Sequence, residues 1–235
     1  MTTIRPVRAL LFDLDGTLVD SETQTDEAIS LVTARHGVAD FALPHTETRG
    51  RTWAHVADTI RARTGIRLDA RTLAAELLEC WNEATADVKP VPGSPAALHA
   101  AAACGLKLGI VSSSPRSVID SFLRKLGVSD CVDPQARIGA DAIRNGKPDP
   151  EGFLLGARRL GIDPADTLVF EDSQAGLLAA RAAGMRSVFI TCCASDVAAN
   201  AALATASTTD YRALPPGFWV GIADGSLDLA GRSFA

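Results

Sequence analysis

The chain has 235 residues, of which 47% are hydrophobic and 22% charged, and its formal net charge is −5. This composition is typical of a globular protein that buries a sizeable core, and the negative charge argues against a nucleic-acid or anionic-membrane surface. In addition, no apolar run approaches the roughly 20 residues that span a bilayer. We therefore expect neither nucleic acid nor membrane as a partner.

The N-terminal segment and the cysteine pattern both indicate a cytoplasmic protein. The first apolar stretch is too short for a secretory signal peptide and runs directly into acidic residues. The cysteines are odd in number and show no CxxC spacing, which favours free buried thiols over disulfides or a metal site. They are Cys80, Cys104, Cys131, Cys192 and Cys193.

The first chemically informative segment is the apolar run 7–12, which is followed by Asp13, Asp15 and Gly16. An apolar run without polar alternation is typical of a strand buried on both faces of a parallel sheet. Two carboxylates this close repel each other unless a cation lies between them, which favours a functional role. The alternative is purely structural, because DxDGT is also good turn chemistry.

Three amphipathic helices without a strand between them follow this segment. The apolar periodicity predicts helices over residues 21–36, 52–64 and 70–88. Residues 89–93, with two prolines and a glycine, form the clearest linker, and the outbound linker would lie near residues 18–21. We therefore predict a helical cap over residues 19–91 and a core made of residues 1–18 and 92–235.

After the linker, helices and strands alternate, which indicates an α/β fold with a doubly wound parallel sheet. The pattern predicts helices over residues 95–104, 115–126, 149–160 and 174–183. Strands are predicted over residues 107–111, 131–138, 168–170 and 187–190, the last of these closing the sheet. The tail from residue 215 onward shows no clear period and suggests no function.

Four polar stretches fall at predicted strand ends or helix starts. In a parallel sheet the first, second and fourth of these stretches lie at one edge, where open α/β sheets bind ligands, so they can meet. Four carboxylates and one ammonium leave three excess negative charges, which a hard divalent cation such as Mg²⁺ would balance. The stretches are Asp13 with Asp15, the serines Ser112, Ser113 and Ser114, Lys147, and Glu171 with Asp172.

Each of these stretches also has a purely structural interpretation. The sequence SSSP is a good helix N-cap, although a hydroxyl and the amides at a helix start also form a phosphate pocket. Lys147 could be a solvated loop residue, and Glu171 with Asp172 could cap the following helix. The occurrence of all four stretches in this order favours function.

Together, DLDGTLVDSE, the strand-end serines, GKPDPE and FEDSQAG resemble the four motifs of the haloacid dehalogenase superfamily. The resemblance covers about residues 8–190 in matching order, and the helical insertion is similar to the family's alpha-helical C1 cap. The residues within the motifs most resemble the β-phosphoglucomutase-like and sugar-phosphatase branch. The resemblance implies a Rossmann-like core and a Mg²⁺-dependent phosphatase acting on a small phosphorylated metabolite.

The resemblance also implies a role for each matching residue. Asp13 would be the nucleophile that forms an aspartyl-phosphate, and Asp15 would be the acid and then the base. Lys147 would pair with Asp13 and with the phosphate. A carboxylate that attacks a phosphate dianion needs such charge neutralisation, so the chemistry is consistent with these roles.

The remaining implied roles concern ligand binding. Ser112 and Ser113 would bind the phosphoryl group. Asp13, the backbone carbonyl of Asp15, and Asp172 with support from Glu171 would hold Mg²⁺.

The cap is expected to select the substrate. Candidates are Thr23 and Asp26 on the first cap helix and Arg49 and Arg51 on the following loop, with solvated surface as the alternative for the two arginines. The register of Trp53 favours cap core. In the mutase branch, a histidine on the first cap helix helps to discriminate mutase from phosphatase chemistry. This chain has Thr25 at the matching position, which favours a phosphatase.

Three readings remain open. The first is a phosphatase for small phosphomonoesters such as sugar phosphates or phosphoglycolate-like acids, and the second is a sugar-phosphate mutase. The third is a non-catalytic phosphoacceptor or metabolite-binding module, which the intact acidic residues and the large helical insertion disfavour. No nucleotide-binding motif of the GxxxxGK[ST] or GxGxxG type occurs. We expect a monomer or a weak homodimer.

Overall fold

A computed structural model describes residues 5–234 of the chain. Over these residues, seven strands form one parallel sheet in the spatial order third, second, first, fourth, fifth, sixth, seventh. The first strand therefore lies between the second and the fourth. The strands are β1 (Ala9–Phe12), β2 (Lys107–Val111), β3 (Arg137–Ile138), β4 (Thr167–Glu171), β5 (Arg186–Ile190), β6 (Ala206–Thr208) and β7 (Arg232–Phe234).

Four helices are inserted between β1 and the rest of the sheet. They are α1 (Glu22–Arg35), α2 (His45–Thr48), α3 (Trp53–Thr64) and α4 (Ala70–Ala84), and both α1 and α3 pack against α4. The six later helices are α5 (Ser94–Ala103), α6 (Arg116–Lys125), α7 (Glu151–Leu160), α8 (Gln174–Ala182), α9 (Val197–Ala201) and α10 (Phe218–Asp224). The predicted fold class, a doubly wound α/β core with a helical insertion after the first strand, is confirmed. Within residues 5–234, no helix combines the length and apolarity needed to cross a membrane.

Strand β1 is buried on both faces, as its uninterrupted apolar sequence predicts. Ala9 and Leu11 pack on one face with Phe153 of α7, whereas Leu10 and Phe12 pack on the opposite face. The alternation follows from the two-residue repeat of a strand. Because neither face meets water, β1 is a rigid base for the residues that follow it.

Two antiparallel segments connect the helical insertion to the sheet. Val19 forms isolated bridges with both Asp15 and Pro90. The carbonyl of Leu18 accepts hydrogen bonds from Val91 N at 2.9 Å and from the Ser94 hydroxyl at 2.8 Å. The two predicted linkers therefore run side by side, while the domain boundaries themselves, at residues 18/19 and 91/92, stay a prediction.

Two expectations about the second half of the chain were wrong. The strand β5 does not close the sheet, because β6 and β7 extend it beyond that point. The region 131–138 contains only the two-residue strand β3, which follows two short 3-10 turns. Since β6 and β7 have three residues each and carry serine, threonine and arginine, they present no apolar run that sequence patterning could detect.

The C-terminal tail packs beneath the strand ends that carry the acidic residues. Phe170 of β4 stacks on Phe12 of β1 with ring centroids 4.9 Å apart, and it lies 5.7 Å from Tyr211 and 6.5 Å from Phe218 of α10. The backbone of Val7, just before β1, donates to the carbonyl of Ile222 at 2.8 Å. The tail thus has a structural role that its irregular sequence did not reveal.

Candidate active site

The carboxyl ends of three neighbouring strands converge on one point. Asp13 directly follows β1, Ser112 directly follows β2, and Glu171 is the last residue of β4. The backbone N–H of Asp13 continues the β1–β4 pairing by donating to the carbonyl of Phe170 at 3.0 Å. The structure therefore brings these predicted site residues together at the edge where open α/β sheets bind ligands.

Lys147 lies at the centre of this acidic edge. Its ammonium donates to Asp13 Oδ1 and, at 2.5 Å, to Glu171 Oε1, and all three side chains are buried. Burial alone would lower the pKa of Lys147, but the two adjacent carboxylates outweigh it and raise this pKa. For Asp13, burial raises the pKa strongly, although the Lys147 charge opposes the shift. The lysine consequently keeps its proton and offsets part of the buried negative charge.

Glu171 uses both carboxylate oxygens within the fold. Oε2 accepts the backbone N–H groups of Asp172 at 3.0 Å and Ser173 at 2.9 Å, and the Ser173 hydroxyl at 2.9 Å. Gly176 is required behind it, because a Cβ at that position would lie 1.8 Å from Oε1. Glu171 therefore orients Lys147 and fixes the loop after β4.

Asp172 differs from Glu171 in having a free oxygen. Its Oδ1 accepts the Thr17 hydroxyl at 3.1 Å, whereas Oδ2 is buried and has no hydrogen-bond partner within residues 5–234. Gly16 (φ +76°) lies so close that a Cβ there would be 2.2 Å from this oxygen. Burial and the neighbouring carboxylates of Glu22 and Glu171 raise the pKa of Asp172 well above its usual range. A buried carboxylate oxygen without a donor is costly unless something else binds it.

The donor set fits a hard divalent cation. One oxygen from each of Asp13, Glu171 and Asp172 lies within 4.8 Å of the others. Oxygen-only donors, excess negative charge and an orphaned carboxylate oxygen are the conditions that Mg²⁺ prefers. Because Glu171 is already fully hydrogen-bonded, Asp13 and Asp172 are the side chains suited to direct contact. The contribution of the Asp15 carbonyl stays a prediction.

Three hydroxyl groups hold the carboxylate of Asp15. Ser21 donates to Oδ1 at 2.8 Å, while Ser114 and Ser112 lie 3.2 Å and 3.5 Å from Oδ2. Burial raises the pKa of Asp15, and the hydrogen bonds from Ser21 and Ser114 moderate the increase. Asp15 is thus a half-buried carboxyl group with a raised pKa, as acid and base catalysis requires.

The two predicted phosphate-binding serines have partners in the protein. The Ser112 hydroxyl faces Asp15 and also accepts the backbone N–H of Ser114 at 3.0 Å. The Ser113 hydroxyl donates to the carbonyl of Gly50 in the helical insertion at 2.8 Å. Their contact with a phosphoryl group stays a prediction, and Ser113 would have to release Gly50 to make it.

The structure separates the four predicted specificity residues into two groups. Arg51 donates to the carbonyl of Lys147 at 3.2 Å, and Arg49 contacts the core and lines the central cavity. The solvated-surface alternative is therefore wrong for Arg49, whose side chain is only 12% exposed. Thr23 and Asp26 are exposed and do not line the cavity, and Asp26 instead lies 3.2 Å from His45 Nε2.

Glu22 and Thr25 take the place expected for Thr23 and Asp26. Residues three apart share a helix face, so the rotation of α1 directs positions 22 and 25 to the cavity. Glu22 is buried with its Oε2 2.9 Å from Arg49 Nε, and burial raises its pKa to about 8. Sequence reasoning missed Glu22, because an acidic residue in the first turn of a helix is also ordinary helix-dipole chemistry.

A small cavity of about 40 Å³ lies between the sheet edge and the helical insertion. Its floor includes Asp13, Asp15, Ser113 and Ser114. The opposite wall combines the polar residues Glu22, Thr25, Thr48, Arg49 and Arg51 with the apolar residues Trp53, Val56 and Trp81. Trp53 packs against Trp81 with ring centroids 6.1 Å apart, so it packs within the helical insertion, as predicted, and it also borders the cavity.

Comparison with known proteins identifies the family. Residues 7–184 match the haloacid dehalogenase-like hydrolase family. The chain is 35% identical over 185 residues to validoxylamine A 7'-phosphate phosphatase of Streptomyces hygroscopicus subsp. limoneus, covering 78% of this chain and 85% of that protein. It is 33% identical over 181 residues to fructose-1-phosphate phosphatase of Escherichia coli, covering 76% and 94%.

The chain therefore belongs to the haloacid dehalogenase-like hydrolase family, as the motifs predicted. A β-phosphoglucomutase structure from Clostridium difficile has the same fold, with a TM-score of 0.78 at 22% identity over 93% of this chain and 97% of that one. Family membership and the names of the two relatives support the predicted enzyme class, a phosphatase.

Proposed function

We propose that this protein is a Mg²⁺-dependent phosphatase that hydrolyses a small phosphorylated carbohydrate through an aspartyl-phosphate on Asp13. The observation that carries the proposal is the pairing of two differently held carboxyl groups at one strand end. Asp13 is fixed by the Lys147 ammonium, whereas Asp15 is held by serine hydroxyls. One group is thus suited to attack phosphorus and the other to transfer protons.

The residues account for both halves of the reaction. A carboxylate oxygen of Asp13 attacks phosphorus while the bond to the leaving oxygen breaks, and the protonated Asp15 donates a proton to that oxygen. In the second half, Asp15 removes a proton from water, which attacks phosphorus and releases phosphate and free Asp13. Lys147 offsets the negative charge throughout, and Mg²⁺ bound by Asp13 and Asp172 would neutralise the phosphoryl oxygens.

The cap wall supports a hydroxylated leaving group. The indole rings of Trp53 and Trp81 provide apolar surface, while Glu22, Thr25 and Arg49 provide hydrogen-bonding groups. Trp81 lines the cavity, and its indole N–H is buried without a hydrogen-bond partner within the described residues. Apolar walls with a few polar groups are typical of small-molecule sites. Relatives that act on fructose 1-phosphate and hexitol phosphates support this substrate class.

The cavity is too narrow for such a substrate in this conformation. Its 40 Å³ admits only about three water molecules, at roughly 10–15 Å³ of probe volume for each. The segment 49–51 covers it through contacts of Arg49, Gly50 and Arg51 with the core. We therefore propose that residues 19–91 act as a cap that opens for binding and closes for chemistry, as lids do in many enzymes.

The test is phosphate release from a panel of sugar, polyol and glycolate phosphates, with Mg²⁺ and with a chelator. We expect metal-dependent release by the wild type and none by Asp13→Asn. Asp87→Asn, at an exposed position of the cap, is the matched control and should leave the rate unchanged. Interconversion of sugar-phosphate isomers with a bisphosphate primer and without phosphate release would instead show a mutase. A folded wild type inactive in both assays would contradict the proposal.

A further inference from the structure

Two adjacent cysteines form a thiol pair outside the catalytic cluster. Cys192 and Cys193 follow β5, and their Sγ atoms lie 3.6 Å apart. In an extended chain, neighbouring side chains point to opposite faces. Here the chain bends at both cysteines, and Ala194 N donates to the carbonyl of Thr191 at 3.3 Å, so a turn brings the two sulfurs to the same side.

Cys192 differs from the other four cysteines in being exposed. Cys192 is exposed and Cys193 is half-buried, so the expectation of buried thiols is wrong for Cys192 and holds for Cys80. The hydrogen bond from the Cys193 thiol lowers the pKa of Cys192, whereas the same bond and burial raise the pKa of Cys193. An accessible thiol with a lowered pKa and a second thiol in contact is the arrangement found in oxidation-sensitive sites.

We propose that Cys192 and Cys193 are a modification site, a vicinal dithiol that a hydroperoxide oxidises to an intramolecular disulfide. The Cys192 thiolate attacks one peroxide oxygen, the O–O bond breaks, and the leaving oxygen takes up a proton from solvent, so that a sulfenic acid and one water (or alcohol) molecule form. The Cys193 sulfur then displaces the sulfenic oxygen as water while losing its own proton. The two sulfurs together lose two electrons, and the peroxide gains them.

The site is coupled to the cap through the backbone of Cys193. Its carbonyl accepts a hydrogen bond at 2.5 Å from Arg49, which also lies beside Glu22 on the cavity wall. Since a disulfide bond is about 2.0 Å long, the sulfurs must approach each other from their 3.6 Å separation. Ring closure therefore changes the backbone torsions between the two cysteines and reorients the carbonyl that Arg49 binds. Oxidation is expected to weaken the closed cap and raise KM.

A tryptic digest tests the modification independently of enzyme activity. Cleavage after Arg186 and Arg212 releases one peptide that contains Cys192 and Cys193 and no other cysteine. After hydrogen peroxide treatment, we expect this peptide to be lighter by two hydrogen atoms and to resist alkylation until a reductant is added. In the Cys193→Ser variant, oxidation should stop at the sulfenic acid of Cys192, and no disulfide should form. Recovery of two alkylated thiols, of a disulfide between two chains, or of only sulfinic acid would overturn the proposal.

The activity measurement rests on the proposed function and is separate from the digest. Oxidised wild type should show a several-fold higher KM that a dithiol reductant reverses. The double variant Cys192→Ser with Cys193→Ser should keep its KM under the same treatment. In Arg49→Ala the peroxide should add no further increase, because the affected contact is already absent. A disulfide that forms without changing KM would overturn the coupling to the cap and leave the modification site standing.

Discussion

The carboxyl-terminal edge of the sheet and the cap loop (residues 49–51) lie against each other, but different kinds of interaction hold them in place. At the sheet edge, Asp13, Lys147 and Glu171 are buried charges that hold one another directly. The cap loop instead reaches the core through three hydrogen bonds, each of which has a backbone carbonyl as its acceptor. The pairs are Arg49 with Cys193, Arg51 with Lys147, and Ser113 with Gly50.

This difference in interactions suits a charged sheet edge that stays fixed and a cap loop that moves. A hydrogen bond exchanged for water changes stability by about 1 kcal/mol, or by about 1.5–3 kcal/mol when the donor is charged as in Arg49 and Arg51, whereas removing one partner from a buried ion pair costs about 3–5 kcal/mol. The cap loop can therefore release its contacts while the charged edge keeps its geometry. In the proposed mechanism, the reaction would take place at the rigid edge, and release of the exchangeable contacts would admit the substrate.

The largest expected effect comes from removing the central cation of the sheet edge. Lys147→Gln leaves Asp13 and Glu171 without their ammonium, so we expect phosphatase kcat/KM to fall by about 10²–10³-fold. The free energy of unfolding should fall by about 3 kcal/mol, measured by urea denaturation, because two buried carboxylates lose their partner. Lys107→Gln, which removes only an ammonium that donates to the Leu160 carbonyl, is the control. Activity within tenfold of wild type would show that the edge does not depend on this charge.

The second prediction compares two glycines that have nearly the same backbone conformation. Gly16 has φ +76° and Gly65 has φ +74°, but a Cβ at Gly16 would lie 2.2 Å from Asp172 Oδ2, whereas nothing lies within 4 Å at Gly65. Gly65→Ala should therefore cost only the left-handed backbone strain of about 1–2 kcal/mol. Gly16→Ala should cost more and also lower the response of activity to Mg²⁺, since Asp172 must move. Equal losses of stability and unchanged metal dependence would contradict the close approach.

The sheet edge could be predicted from the sequence because its residues follow apolar strands. The apolar run 7–12 places Asp13 at a strand end, and the short run before Glu171 does the same. Parallel pairing then brings both to one edge without knowledge of any side-chain contact. Lys147, in an irregular loop, was singled out as a polar residue ahead of a predicted helix, but its pairing with Asp13 was implied only by the resemblance to the family.

The cap contacts could not be predicted, because they depend on tertiary geometry. The hydrogen bond from Arg49 to Cys193 joins residues 144 positions apart in the chain. The choice between Glu22 and Thr23 depends on the rotation of α1 about its axis, and one residue is about 100° of that rotation. The strands β6 and β7, of which only β7 lies at the edge of the sheet, were not predicted for another reason: they are too short and polar to show periodicity.

The third prediction concerns pH and the buried carboxyl group on the cap side. The pKa of Glu22 is raised from 4.5 to about 8, so the folded protein retains a proton that the unfolded chain releases above its ordinary pKa. Stability should therefore fall as the pH rises from about 4.5 to 8, with a slope from this group of at most about 1.4 kcal/mol per pH unit. Glu22→Gln should unfold with a flatter pH dependence and be more stable than wild type at pH 8. If the curves of stability against pH were parallel for wild type and Glu22→Gln, Glu22 would be ionised in the folded protein.

The smallest effects should come from two adjacent serines that face different regions. Ser114 holds Asp15 at the sheet edge, and Ser113 holds Gly50 of the cap loop. Ser114→Ala removes a hydrogen bond that keeps the pKa of Asp15 down, so the alkaline limb of the kcat profile, where the protonated acid is lost, should move to higher pH. Ser113→Ala should leave that profile in place and change KM by up to about tenfold, because only closure is weakened. If Ser113→Ala moved the pH profile and Ser114→Ala did not, the division between a fixed edge and an exchangeable cover would be wrong.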